Sequence, residues 1–279
     1  MPKKILLKLS ILTIVLISFN INAIAQETFE DYMTQGVKFM EKAQYKDAIA
    51  NFDKATKKKP DNPYTYYLKG QIYLLQNKWD KAITELNITV EKRDTIPNTY
   101  YYLGYSYFHK KDTVQALLYT DKCLSLNPWH RDALIFRLSS YTDKKMFDKA
   151  KPYIDRAKKK YPKDTEIMYY QALYLLSKKE NVKALNILEE SYSLGYRNDE
   201  FLNILGTAYL KNDMLSKALI RTNEAIAIDP NKSDYYINKA LILYEMKINS
   251  MALNSFEKAI ELGAILSEGA ENIYDSLKK

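Results

Sequence analysis

The side chains of this sequence best suited to base, thiol or zinc chemistry are two histidines, His109 and His130, and a single cysteine, Cys123. A structural zinc site needs four nitrogen or sulfur ligands, and a catalytic one needs three beside a water. The chain has no second cysteine and no His-Glu-x-x-His run. A nucleophile triad needs a serine or cysteine held against a base that a third group orients, and no such set stands out. Cys123 has no partner for an internal disulfide and reads as a small packing residue. The two histidines read as surface residues, one at the end of a helix and one at a repeat boundary. Phosphate-cradling loops gather their glycines, whereas the seven glycines here are scattered. Aspartate and glutamate are numerous, but nothing singles out a pair as general acid and base. The chain therefore reads as non-enzymatic, with no cofactor and no metal.

What positions the remaining residues is a period. Ala48, Ala82, Ala116, Ala150, Ala184, Ala218 and Ala252 stand 34 residues apart with nothing inserted or lost. Twelve residues before each comes Gly36, Gly70, Gly104, Leu138, Ala172, Gly206 or Ala240, small in all but the fourth. Four residues before that column and three after it stand mostly tyrosine, leucine, methionine or phenylalanine, as at Tyr32 and Phe39 or Tyr66 and Tyr73. Spacings of three and four place these columns on one helical face.

A second stripe follows each alanine. Phe52, Leu86, Thr120, Ile154, Leu188, Thr222 and Phe256 lie at plus four, and Ala55, Thr89, Cys123, Ala157, Ser191, Ala225 and Ala259 at plus seven. Short polar turns such as Asn77 to Trp79 separate the stripes, so each period predicts an antiparallel helix pair. Pro60, Pro128, Pro162 and Pro230 close the second helices, because proline lacks an amide hydrogen and clashes with the preceding turn.

This period, with its small and aromatic columns and its closing proline, resembles the tetratricopeptide repeat over residues 29–266. The resemblance implies an all-α fold, a right-handed superhelical solenoid of antiparallel helix pairs. Its repeats run 29–62, 63–96, 97–130, 131–164, 165–198, 199–232 and 233–266, and residues 267–279 form a capping helix. Three departures carry structural expectations. Leu138 in the small column should hold the fourth pair further apart. Asp94 and Tyr196 replace the closing proline, so the junctions after the second and fifth repeats should bend differently. Thr120 and Thr222 replace a large apolar residue.

At the N-terminus Lys3, Lys4 and Lys8 precede an apolar run from Leu9 to Phe19, and Ala23-Ile24-Ala25 supplies a small-x-small site. This is the pattern of a secretory signal peptide cleaved after Ala25, and it predicts export to the periplasm, the outer surface or beyond. A membrane contact is expected only through this segment, if it stays uncleaved. Its loss removes three lysines and no acid, so the net charge of +8 falls to +5. Lysine clusters such as Lys57-Lys58-Lys59 and Lys158-Lys159-Lys160 fall at helix ends, where cations complement the macrodipole. Nucleic acid is not an expected partner.

In the tetratricopeptide family the first helices line the concave side, so the resemblance places a partner-binding groove along their inward rows. Its aromatic and polar residues here are Tyr64, Tyr67, Gln71, Asn98, Tyr101, Tyr105, Phe108, Tyr169 and Tyr244. Tyrosine suits such a surface, with large apolar area, a polar tip and little entropy to lose. A chain with 25 tyrosines also puts several in any row, and some of these are expected to pack against neighbouring repeats. Glu30, Asp132, Glu166, Glu200 and Asp234 read either as a rim of the groove or as answers to the helix dipole. Chaperone-binding members clamp a peptide carboxylate with Lys and Asn in the early inward rows. Here Met33, Val37, Tyr67, Gln71, Tyr101 and Tyr105 stand there, and a carboxylate would find no cation. The expected role is an exported scaffold that binds a segment of another protein. The alternative is a structural subunit of a cell-envelope assembly, contacting neighbours through its solenoid edges and convex face, with self-association through the N-terminal edge around Phe29 and Tyr32.

Overall fold

Each 34-residue period folds as two antiparallel helices. The computed structural model describes residues 27–279, and the expected signal segment, with its cleavage after Ala25, lies outside the described residues. Two compact units are found, the first ending at Pro128 and the second beginning at Trp129. The first unit holds three pairs: α1 (Phe29–Glu41) with α2 (Tyr45–Lys58), α3 (Pro63–Leu75) with α4 (Trp79–Lys92), and α5 (Pro97–His109) with α6 (Thr113–Leu126). The second holds α7 (Arg131–Asp143) with α8 (Phe147–Lys160), α9 (Thr165–Ser177) with α10 (Asn181–Ser193), α11 (Asp199–Leu210) with α12 (Leu215–Ile228), and α13 (Ser233–Glu245) with α14 (Asn249–Glu261). A last helix, α15 (Glu268–Leu277), lays Ala270, Ile273, Tyr274 and Leu277 against Ala240 and Phe256. No strand occurs among the described residues.

The two helices of a pair begin by different means. Most first helices carry a side-chain cap that satisfies an orphan amide at the N-terminus. Thr28 and Asp31 form a reciprocal capping box, and Asn62, Asp164 and Asn198 accept from first-turn amides. His130 does the same with Nδ1, taking the Ala133 amide at 3.2 Å, and burial holds its imidazole below its ordinary pKa. Second helices other than α6 have no side-chain cap and start directly out of a tight turn. That turn is the same in all seven pairs. Ala43, Asn77, Lys111, Lys145, Lys179, Asp213 and Lys247 adopt the left-handed conformation with φ between 55° and 65°. In the first pair Ala43 N–H donates to Met40 C=O at 2.9 Å and Gln44 N–H to Phe39 C=O at 2.8 Å, and the same two bonds recur in every pair. This is the Schellman arrangement, met here without a glycine.

The small, alanine, plus-four and plus-seven columns are buried in every pair, and the alanine column is fully so. The small column faces the plus-four column. A Cβ on Gly36 would meet the Phe52 ring at 2.5 Å, and one on Gly70 the Leu86 side chain at 2.8 Å. At Gly104 and Gly206 the facing residue is threonine, and the added atom would also meet a backbone carbonyl, Ala116 O at 2.9 Å or Ala218 O at 3.2 Å. In the fourth pair Leu138 faces the plus-four residue Ile154, both within one core cluster, and the helices keep the least close contact of the seven.

The second helices end in two ways. Arg93, the residue before Asp94, is an extended C-cap like Asn127 and Asp229 before their prolines, so α4 ends as those two helices do. Proline there blocks continuation but is not needed to set the C-cap. The fifth junction does differ: α10 ends on Gly195 at φ 97°, with Tyr196 N–H returning to Ser191 C=O. Gly263 ends α14 in the same way at φ 86°.

Charges add local ties. Buried Lys69 reaches Asp53 at 3.0 Å and Glu85 at 3.1 Å, joining α2, α3 and α4. Burial would lower the Lys69 pKa, but the two acids outweigh it and raise it. Arg131 forks onto Asp164 at 2.5 and 3.1 Å and reaches Glu166 at 3.1 Å. Exposed pairs such as Lys92 with Asp61 at 2.7 Å contribute little, since water screens them.

Candidate partner-binding surfaces

In the first unit α3 and α5 are neighbouring first helices, and their rows bring most of the expected residues together. Asn62 caps α3 by accepting the Tyr64 amide, which places Tyr64 at the mouth of the row. Tyr64 is 44% exposed, and its hydroxyl accepts from Arg93 Nη1 at 3.4 Å. One turn on, the Tyr67 ring lies 5.9 Å from that of Tyr102. Gln71 Nε2 donates to both hydroxyls, at 3.3 Å to Tyr67 and 3.1 Å to Tyr102. Burial pushes the Tyr67 hydroxyl up to about 12, against a hydrogen bond from the Asn98 side chain that favours its ionised form. Gln71 and Asn98 thus act as positioning groups for the ring.

From Tyr102 the rings continue without a break. Tyr101 lies 5.6 Å from Tyr102 and 6.3 Å from Tyr105, and Tyr105 meets His109 edge-on at 4.5 Å. His109 stacks flat on Trp79 at 4.3 Å, and Phe108 sits at 5.6 Å from it. Tyr105 and Phe108 are 37% and 48% exposed, so the band presents ring faces to solvent at its far end. Beside Gln71, the side chains of Met40, Leu74, Leu75 and Tyr102 line a shallow apolar depression. Such a surface offers stacking and dispersion with a few fixed hydrogen-bonding tips.

Three members of this band escape the row pattern. Tyr102 falls one position off the inward rows, and Trp79 belongs to the start of a second helix. His109 closes a first helix, where sequence reads only a surface imidazole. The one available signal was compositional, the run Tyr100-Tyr101-Tyr102 followed by Tyr105, Tyr107 and Phe108.

In the second unit the two remaining expected residues stand apart from each other. Tyr169 is largely enclosed by Tyr170 at 5.3 Å, Tyr196 at 6.4 Å and Phe201 at 6.3 Å, and burial, then the Glu200 charge, raise its hydroxyl well above the ordinary value. Tyr244 lies near the end of α13 with Lys247 Nζ 5.3 Å from its ring. The acids at the helix starts are mostly answered by cations: Glu30 by Lys59 at 2.6 Å, Asp132 and Glu166 by Arg131, and Glu200 by Lys232 at 3.8 Å.

Among the described residues no three His, Cys, Asp or Glu side chains converge as metal ligands, and no helix is long and apolar enough to cross a membrane. Cys123 is buried in the plus-seven column of α6 and forms no disulfide.

The sequence model of a family described as tetratricopeptide repeat matches residues 39–97. No curated protein matches the sequence. Among solved structures, a tetratricopeptide repeat protein from Parabacteroides merdae is 18% identical with a TM-score of 0.60, over 90% of this chain and 99% of that one. The C-terminal part of a TPR repeat-containing protein from Cytophaga hutchinsonii is 18% identical with a TM-score of 0.59, over 86% and 98%. A chain of the APC/C hetero-tetramer Cut9-Hcn1 is 15% identical with a TM-score of 0.67, over 91% of this chain and 53% of the other. At these identities the likeness is one of fold.

Proposed function

We propose that this chain, an array of tetratricopeptide repeats, is an exported, non-enzymatic scaffold that holds a segment of another protein on the first-helix face of its first unit. One observation carries the reading: the unbroken band of rings from Tyr67 to Phe108, exposed at Tyr105 and Phe108, preceded one turn earlier by exposed Tyr64 and braced from behind by Gln71. Rigid aromatic anchors with polar tips are the residues that dominate binding energy at protein interfaces. A chain of similar fold sits in a hetero-tetramer with a second protein, which fits a binding role. Export rests on the lysine-led apolar run and the Ala23-Ile24-Ala25 site at the N-terminus.

A photo-crosslinking residue at position 105, in the cell that makes the protein, tests the surface against a second one at Leu118 on α6. Position 105 should capture a discrete partner that position 118 does not. The Tyr67→Ala/Tyr101→Ala pair should abolish capture while helix content is retained, and Phe108→Ala, at an exposed position, should reduce it. Undiminished capture by both variants would sink the reading. Concentration-dependent self-association of the 26–279 fragment would favour the envelope-subunit alternative instead.

A further inference from the structure

In the second unit a cavity opens where three successive first helices come together. Tyr169 of α9, Glu200 and Asn203 of α11, and Lys232, Asp234 and Tyr235 at the start of α13 line it. Asn203 is 6% exposed and is the most informative of these, because its amide orientation is fixed by its neighbours. The Thr207 hydroxyl donates to the Asn203 backbone carbonyl at 3.0 Å, so its oxygen can only accept from Asn238. Asn238 must therefore present its nitrogen on this side, and that nitrogen also donates to Asn203 Oδ1 at 2.8 Å. The Asn203 amide nitrogen is left on the other side, with no acceptor among the described residues, on a side chain that lines the cavity. That nitrogen is not one of the buried unsatisfied atoms, so it reaches solvent and stands open to a ligand carbonyl.

The rim supplies the charge. Glu200 and Asp234 are both exposed, and Asp234 has no ion-pair partner among the described residues. Lys232 Nζ stands 3.8 Å from Glu200, too far for a hydrogen bond. Asp199 is already engaged, accepting from the Tyr235 hydroxyl at 2.7 Å. An anionic ligand would meet two carboxylates against one lysine. A wholly apolar segment would leave the Asn203 donor stranded.

We infer that this cavity is a second recognition site, which takes an arginine or lysine side chain of an extended peptide: the cation pairs with Glu200 and Asp234, its stem lies along the Tyr169 ring, and Asn203 Nδ2 donates to a peptide carbonyl. Tyrosine faces attract such cations, and carboxylates fix them. Lys232 is the internal competitor that the ligand displaces from Glu200. The site shares no residue with the tyrosine band of the first unit and stands whether or not that band captures a partner.

Fluorescence anisotropy on the whole chain tests it with a labelled nonapeptide of alternating glycine and arginine, blocked at both ends, and its citrulline counterpart. Citrulline keeps the shape of arginine and removes the charge. The arginine peptide should bind at least about ten-fold more tightly at low salt. Glu200→Gln and Asp234→Asn should each weaken it about three-fold or more, and Lys232→Gln should tighten it by about two-fold or more. That opposite sign separates the site from diffuse attraction, which a chain of net charge +8 does not offer a basic probe in any case. Both acids are exposed, so the variants keep the fold, and circular dichroism checks this. Equal affinity for the two peptides, undiminished affinity in the Glu200→Gln/Asp234→Asn double variant, or no saturable binding overturns the inference.

Discussion

The fourth and sixth helix pairs lie in one unit and share one period, yet they bring their helices together differently. In the sixth, Gly206 faces Thr222, and the space a side chain would fill is taken by the Thr222 hydroxyl and the Ala218 carbonyl. In the fourth, Leu138 and Ile154 occupy the same positions, and the helices are held apart. The period decides which residues face each other across a pair, while their sizes decide how near the backbones come. Interiors pack densely, so neither pair can borrow the other's residue without a shift.

Exchanging those residues is the most severe way to break the comparison. Gly206→Leu drives a side chain into a backbone carbonyl and a threonine, and should cost about 3 kcal/mol or more. Because arrays of repeats need not unfold in one step, the measurement is native-state hydrogen exchange of α11 and α12. Unchanged protection there would mean that close approach is not what holds the sixth pair. A smaller effect sharpens the contrast: Ala218→Leu should cost about 1–3 kcal/mol, and Ala150→Leu, in the looser fourth pair, measurably less. Equal penalties would show that the wider spacing gives no tolerance. The smallest effect has the opposite sign. Lys145→Gly relieves a left-handed residue in the turn of the fourth pair and should stabilise it by about 0.5 kcal/mol, after allowing for the freer unfolded chain. A destabilised variant would assign the lysine side chain a role beyond the turn.

Much of this was legible in the residues themselves. The alanine, small and plus-four columns are sequence-local periodicities, and the burial of every member follows from helical geometry alone. The wide fourth pair could be foreseen because Leu138 is visibly out of keeping with its column. The left-handed turn could not, since the positions that adopt it hold Ala, Asn, Asp and four lysines, none of which advertises a positive φ as glycine does. The C-cap before Asp94 could not be foreseen for a related reason: the proline is missing there, yet Arg93 reaches an extended C-cap without it. At the candidate surface, the row offsets gathered Tyr67, Gln71, Tyr101 and Tyr105 but passed over Tyr102 and Trp79. Which rings touch depends on rotamers and on contacts between helices about thirty residues apart, and no offset rule holds that information. The Asn203 donor is of the same kind, because its orientation is set by Thr207 and Asn238 together.

The identical seven-fold turn has a genetic corollary. Every helix pair leaves its turn with the same backbone geometry, and the turns stand 34 residues apart, so a crossover between any two turns in register preserves both the turn and the period. Such an array can grow or shrink by whole modules through unequal recombination, with the turn carried over intact and only the side chains at the new seam left to repack.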